Sequence, residues 1–292
     1  MRKIKELVIE RSLLLSALIT IAITVGIVLV LTIEAFHFFS EVSIIDFLTD
    51  PQWTPLFVDK HYGILPLLSG TLLTSFIAIS VALPIGLSIS IYLSEYAPKG
   101  FRKTVKPLLE LLAAVPTVVY GFFALIVVTP ILQQIIPGLS GFNSLSAGFV
   151  MGIMIIPYIS SISEDALHAV PNALREASFG MGATKLQTAF KVVVPAASSG
   201  IIVSIILAIS RAIGETMIVA VAAGQQPRLT LDPTVPVETI TAYIVQVSLG
   251  DVEHGSVEYR TIFAAGITLF VFTFLLNTLS YRIRKKYQER YE

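Results

Sequence analysis

The residues best placed to do chemistry stand in "SRAIGETMIVAVAAG", Ser210 to Gly224. Arg211 and Glu215 interrupt an otherwise uncharged run from Ala196 to Ala223. Arg211 falls about 14 residues into that run, roughly 20 Å from its start at 1.5 Å per residue. A charged side chain at that depth of a bilayer costs about 2.5–3.5 kcal/mol, so it must face protein or water. In one continuous helix Glu215, four residues on, shares the face of Arg211 and can pair with it. Gly214 between them leaves the backbone accessible. Two readings stand side by side. The pair neutralises itself and clasps a helix bundle, or the planar arginine fork receives the oxygens of a passing anion while glutamate tempers its hold.

Other chemistries find no support. The sequence has no G-x-x-x-x-G-K-[ST] phosphate loop, so the chain is not expected to bind ATP. Energy for transport must then come from another chain or from an ion gradient. H-E-x-x-H and G-x-S-x-G are absent as well, and no catalytic residue is expected. Cysteine is absent, and His37, His61, His168 and His254 lack metal-ligand spacing, so no metal or other cofactor is expected. An ion-coupled transporter would want intramembrane carboxylates. Beyond Glu215 the candidates are Glu34, Glu95 and Glu110, all near expected helix ends, where interfacial solvation accounts for them.

These residues must be positioned by membrane helices. Hydrophobic residues make up 54% of the chain and charged ones 14%, against about 25% in soluble domains. Mean hydropathy is +0.81. Runs of about 20 apolar residues cross a bilayer. Six are expected: Ser12 to Ile33, Pro66 to Ser94, two within the uncharged stretch Leu111 to Ser163, Ala196 to Ala223, and Thr261 to Tyr281. "QQIIPGLSGFN", Gln133 to Asn143, divides the long stretch. The runs are continuous and not alternating, which argues for helices over a barrel. The first is too long for a secretory signal and lacks a small-residue cleavage site, so it is expected to be retained. Of the 20 basic residues, 16 flank the spans on one side, including Arg2, Lys3, Lys5, Arg284, Lys285, Lys286 and Arg290; only Lys60, Arg228 and Arg260 lie opposite. The positive-inside rule then places both termini in the cytoplasm. Pro84, Pro116 and Pro157 are expected inside spans two, three and four, as packing kinks or conformational hinges. A short interfacial helix is expected near Glu238 to Ser248.

The loop from Asp165 to Ala197 lies on the basic side. Pro171 can open a short helix, Gly180 and Gly182 can end it and turn the chain, and Thr184 with Gln187 has capping-box spacing for a second helix. "EAS…G…VVVPAA", Glu176 to Ser178, Gly182 and Val192 to Ala197, resembles the EAA loop of permease subunits of bacterial ABC importers. Tyr62 to Pro98, Lys106 to Leu125 and Ser210 to Gly224 resemble phosphate importer permeases, and Arg211 to Met217 resembles the C-type subunit.

The resemblance implies an all-α polytopic membrane protein with six transmembrane helices and the type I ABC importer permease fold. It would form one permease domain over 1–292, with a core at about 66–283 and a coupling loop at 165–195. Arg175, Glu176, Ala177, Ser178, Gly180 and Gly182 would contact a separate P-loop ATPase present in two copies, which binds the ATP. Arg211 and Glu215 would line the path. A second, A-type permease would complete a heterodimer in a bacterial or archaeal plasma membrane. An extracytoplasmic binding protein would deliver phosphate or another oxyanion; nucleic acid is not an expected partner.

Overall fold

The computed structural model describes residues 2–287, with the side chains of 6–279, 281 and 282. The side chains of Arg2, Lys3, Lys5, Arg284, Lys285, Lys286 and Arg290, counted above in the basic bias, lie outside the described residues. Helix α1 is Arg2–Glu41, α2 is Ile44–Thr49 and α3 is Leu65–Tyr96, whose last turn is a π turn at Tyr92–Tyr96. Next come α4 (Lys99–Ala114), α5 (Thr117–Ile135) and α6 (Ser144–His168). Helices α7 (Asn172–Gly180), α8 (Lys185–Ala196), α9 (Ser198–Ile213) and α10 (Met217–Ala222) follow. The last two are α11 (Ile240–Leu249) and α12 (Val257–Tyr287).

Helices α1, α3, α5, α6 and α12 are long and apolar enough to cross a membrane; the bent pair α8–α9 makes a sixth span if counted as one. The continuous fifth helix expected over Ala196 to Ala223 is broken twice. Helices α8 and α9 meet at 72°. Pro195, which has no N–H to donate, stands two residues before that bend and just after a π turn at Ala189–Val193. The second break, at Gly214 to Thr216, separates α9 from α10. The third span also starts later than its apolar run. Leu111 to Ala114 belong to the amphipathic α4, and Pro116 stands in extended backbone just before α5. Pro116 is therefore not inside a span, because proline drives the residue before it out of helical conformation. Pro84 and Pro157 do lie within α3 and α6.

The central contact is α3 against α6. Gly148 and Gly152 present a small-residue face on α6, and a Cβ at Gly152 would lie 2.8 Å from the Ala78 carbonyl oxygen. Ala78, Ala82, Met151, Met154, Ile155, Ala208, Ala212 and Ile218 close a core between α3, α6, α9 and α10. At the end carrying the acidic connections, Phe38, Phe47, Trp53, Ile64 and Tyr243 form a second core. Its rings meet edge to face, with Trp53 and Tyr243 centroids 5.0 Å apart. Helix α11 is the short helix expected near Glu238 to Ser248. Its Ile240, Ala242, Tyr243 and Val247 are buried within the bundle. Glu34, expected to be solvated, pairs with Arg260 at 3.7 Å, and Arg260 also reaches Glu41 at 2.8 Å, tying α1 to α12.

Candidate functional site

Two sites follow from this framework, one within the span and one at its basic end. In the first, the break at Gly214 to Thr216 changes the relation between Arg211 and Glu215. They do not share the face of one helix. Glu215 sits in the break and its carboxylate Oε1 accepts the N–H groups of Met217 at 3.1 Å and Ile218 at 3.4 Å. The carboxylate thereby satisfies two of the four N–H groups that a helix start leaves unpaired. The Thr241 hydroxyl donates to the Glu215 carbonyl at 2.6 Å, locking the break onto α11. Glu215 is buried, with 3% of its side chain exposed.

Arg211 is held differently. Its Nη2 lies 3.8 Å from Glu215 Oε2, an ion pair beyond hydrogen-bond reach. The guanidinium sits 5.8 Å from the centre of the Tyr158 ring, within cation–π distance, and 3.9 Å from Met154 Sδ. Forty per cent of the side chain is exposed. The fork is thus steered by α6 and a neighbouring carboxylate, while most of its N–H donors stay available. The sequence marks Arg211 and Glu215 but not Tyr158, Met154 or Thr241. A tyrosine beside Pro157 in an apolar span was the one signal for Tyr158.

The second site is the helical hairpin α7–α8. Gly182 has φ +83, the left-handed region that favours glycine, and turns the chain between the two helices. The capping box forms as its spacing predicts: Gln187 N–H donates to Thr184 Oγ1 at 3.3 Å, and Thr184 N–H donates to Gln187 Oε1 at 2.9 Å. Ser178 and Thr188 hydroxyls join α7 to α8 at 2.9 Å. Gly180 is the last residue of α7, and Glu176 and Ala177 are exposed.

Arg175 points the other way, back into the molecule. Its Nη2 and Nε donate to Glu95 Oε1 and Oε2 at 2.8 and 3.2 Å, a two-pronged clamp on the π turn of α3. It also donates to the carbonyls of Val170 at 2.6 Å and Leu167 at 2.8 Å. Glu95, expected to be solvated, has only 7% of its side chain exposed. The outward face carries Phe179, Met181, Leu186 and Phe190, all exposed. All four lie within the loop from Asp165 to Ala197, yet the sequence alone does not separate them from core residues.

Next to the hairpin, Arg102 and Lys106 of α4 pair with the buried Glu164 of α6, Lys106 at 3.0 Å, and Lys106 also reaches Asp165. The amphipathic α4 is thus tied to the same end of α6 that leads into α7.

Residues 82–291 match the family described as binding-protein-dependent transport system inner membrane component. The chain is 37% identical over 265 residues to the probable ABC transporter permease protein YqgH of Bacillus subtilis, covering 90% of this chain and 85% of that one. It is 35% identical to the phosphate transport system permease protein PstC of Mesorhizobium japonicum, over 80% of this chain and 76% of the relative. Among solved structures, the fold resembles a bacterial alginate ABC transporter in complex with a pentasaccharide-bound periplasmic protein. There the TM-score is 0.62 at 20% identity, covering 95% and 97% of the two chains. An inward-facing MetNI methionine ABC transporter matches at TM-score 0.57 and 20% identity, over 78% and 95% of the chains. With the family match spanning most of the chain and the helical framework shared with ABC importers, this protein belongs to the binding-protein-dependent transport system inner membrane components, as a multi-pass permease of the type I importer fold.

Proposed function

We propose that this chain is the C-type permease subunit of an ATP-driven importer of inorganic phosphate, and that Arg211 contacts the anion in transit. The observation that carries the reading is the division of labour at the break. Glu215 is engaged by two backbone N–H groups, so Arg211 retains a planar, permanently charged fork on an open face. Relatives named as phosphate permeases support the choice of anion. The open face of α9 meets a second, A-type permease, and the path runs between the two. Glu215 at 3.8 Å weakens the fork's hold enough for the anion to leave. Affinity resides in an extracytoplasmic phosphate-binding protein, and the contact at Arg211 is transient.

The permease itself catalyses nothing and holds no cofactor. Two copies of a separate P-loop ATPase bind and hydrolyse ATP. The coupling loop, 165–195 within a single permease domain, docks there through the exposed Phe179 and Met181, with Glu176, Ala177 and Ser178 on the same short helix: an apolar helix end entering a groove. Arg175 acts as the strut behind it. Both termini and this loop are cytoplasmic, in keeping with the positive-inside rule.

The test is phosphate uptake by complexes carrying Arg211→Gln, after verifying that the second permease and the ATPase still co-purify. Uptake is expected to fall by at least tenfold, about 1.4 kcal/mol or more in the barrier. Unchanged uptake by a correctly assembled complex would reduce Arg211 to a packing residue.

A further inference from the structure

A pocket of about 260 Å³ opens among the acidic connections, lined by neither Arg211 nor Glu215. Its walls come from Trp53 to Phe57 on one connection and from Gln225, Glu238, Tyr243 and Gln246 on the other. Glu238 is 2% exposed, and its Oε1 has no hydrogen-bond partner among the described residues. Burial pushes its carboxyl up to about 8. Buried polar atoms are seldom left unpartnered, and one that is asks for an explanation.

The surrounding backbone gives Glu238 no room to retreat. A Cβ on Gly70 of α3 would stand 2.1 Å from the Glu238 carbonyl oxygen, so the two backbones are in direct contact. Two residues on, Ile240 N–H donates to Thr71 Oγ1 at 3.1 Å. Gln225, beside Glu238 on the same connection where Gly224 pairs with Val237, has φ +48, the only non-glycine residue at positive φ among the described residues. Such backbone strain persists where the surroundings impose it and clusters at sites that work.

A carboxyl among aromatic rings is suited to a cation, which gains from the charge and from the ring faces together. The rim favours a protein as its carrier. Phe57, Val58, Leu229 and Leu231 are exposed on the two flanking connections, an apolar surface of the kind that marks protein contacts. Asp251 and Glu253 line a neighbouring cleft with Leu56 and Phe57, beside the Lys60–Glu258 pair, and add negative charge complementary to a basic partner.

We propose that this pocket receives one lysine or arginine side chain of the soluble extracytoplasmic protein that delivers the substrate, with Glu238 as its carboxylate partner. The inference rests on the reading of the chain as a binding-protein-dependent importer permease oriented with these connections outward. It assigns to Glu238 a role in partner recognition and none in the passage of the anion.

The experiment uses the complete complex in proteoliposomes, titrated with phosphate-loaded binding protein while ATP hydrolysis is followed. Glu238→Gln preserves shape and removes the ionisable carboxyl, which burial holds protonated and which an entering cation would draw into its charged form. The concentration of binding protein giving half-maximal stimulation is expected to rise at least tenfold, with the maximal rate retained. Lysine- and arginine-to-glutamine variants of the binding protein should include one that gives the same rise alone and adds nothing to Glu238→Gln. Unchanged half-saturation would overturn the assignment. So would loss of the second permease from the purified Glu238→Gln complex, since the pocket would then be a subunit interface. If the binding protein does not stimulate even the unaltered complex, the importer reading fails and takes this inference with it, an outcome distinct from the other two.

Discussion

Arg211 and Glu215 are four residues apart in sequence but hold separate posts, because the helix ends between them. The carboxylate works first as a cap, accepting from Met217 and Ile218. Glu215→Gln keeps an acceptor oxygen there and removes the charge. It is expected to leave thermal stability within about 1 kcal/mol while lowering phosphate uptake, whereas Glu215→Ala loses the cap and should cost about 1 kcal/mol or more. Thermal unfolding of the purified permease in detergent, set beside uptake, separates the two roles; equal stability loss in both variants would deny the cap. Arg175 makes the complementary case at the basic end. Removing one partner of a buried pair typically costs about 3–5 kcal/mol, because the other charge is left without compensation. Arg175→Ala is therefore expected to destabilise strongly, and the double variant Arg175→Ala, Glu95→Ala to be no worse than the single. A double-mutant cycle on unfolding measures this, and strict additivity would show that the clamp does no joint work.

Elements decide how these posts are held. Gly182 occupies φ +83, which proline, fixed near −65°, cannot adopt. Gly182→Pro is expected to spare membrane insertion but to break the link between α7 and α8, leaving ATP hydrolysis by the complex insensitive to loaded binding protein. Normal stimulation in that variant would remove the hairpin from the coupling route. Packing between α3 and α6 gives a cleaner contrast. Gly152→Val places new atoms against the Ala78 carbonyl and should cost about 1–3 kcal/mol. Gly26→Val on α1 meets nothing within 4 Å and should be neutral; unfolding curves of the two decide. The sequence makes the long spans legible because apolar length is a local property, and the hairpin because Gly182, Thr184 and Gln187 carry their geometry with them. It conceals the breaks in the fifth span. A run of apolar residues from Ala196 to Ala223 reads as one helix; at Gly214 to Thr216 the helix stops and the Glu215 side chain takes up the backbone N–H groups of Met217 and Ile218. The burial of α11 is hidden for a similar reason: its packing partners, on α3 and α12, come from distant parts of the chain.

At the scale of the whole molecule, the basic and acidic connections occupy opposite ends of the bundle. In a chain without native cysteine, Met181→Cys and Leu231→Cys offer two exposed probes, one per end. An impermeant thiol reagent added to intact cells is expected to label Leu231→Cys at once and Met181→Cys only after permeabilisation; the reverse order would invert the topology. A chain of contacts joins α7, which carries the exposed Phe179, through Arg175 and Glu95 to α3, and we propose that coupling follows it. From there it reaches α6 across the Gly152 contact and the side chains of Met154 and Tyr158 beside Arg211. Every part of this route presumes that ATP hydrolysis by a partner subunit, and no ion gradient, moves phosphate. The most direct measurement is radiolabelled phosphate uptake into proteoliposomes holding the complete complex, with binding protein and ATP supplied on opposite sides. Accumulation that requires both and survives ionophores that collapse ion gradients is the predicted result; uptake that proceeds without ATP and vanishes with those ionophores would contradict it.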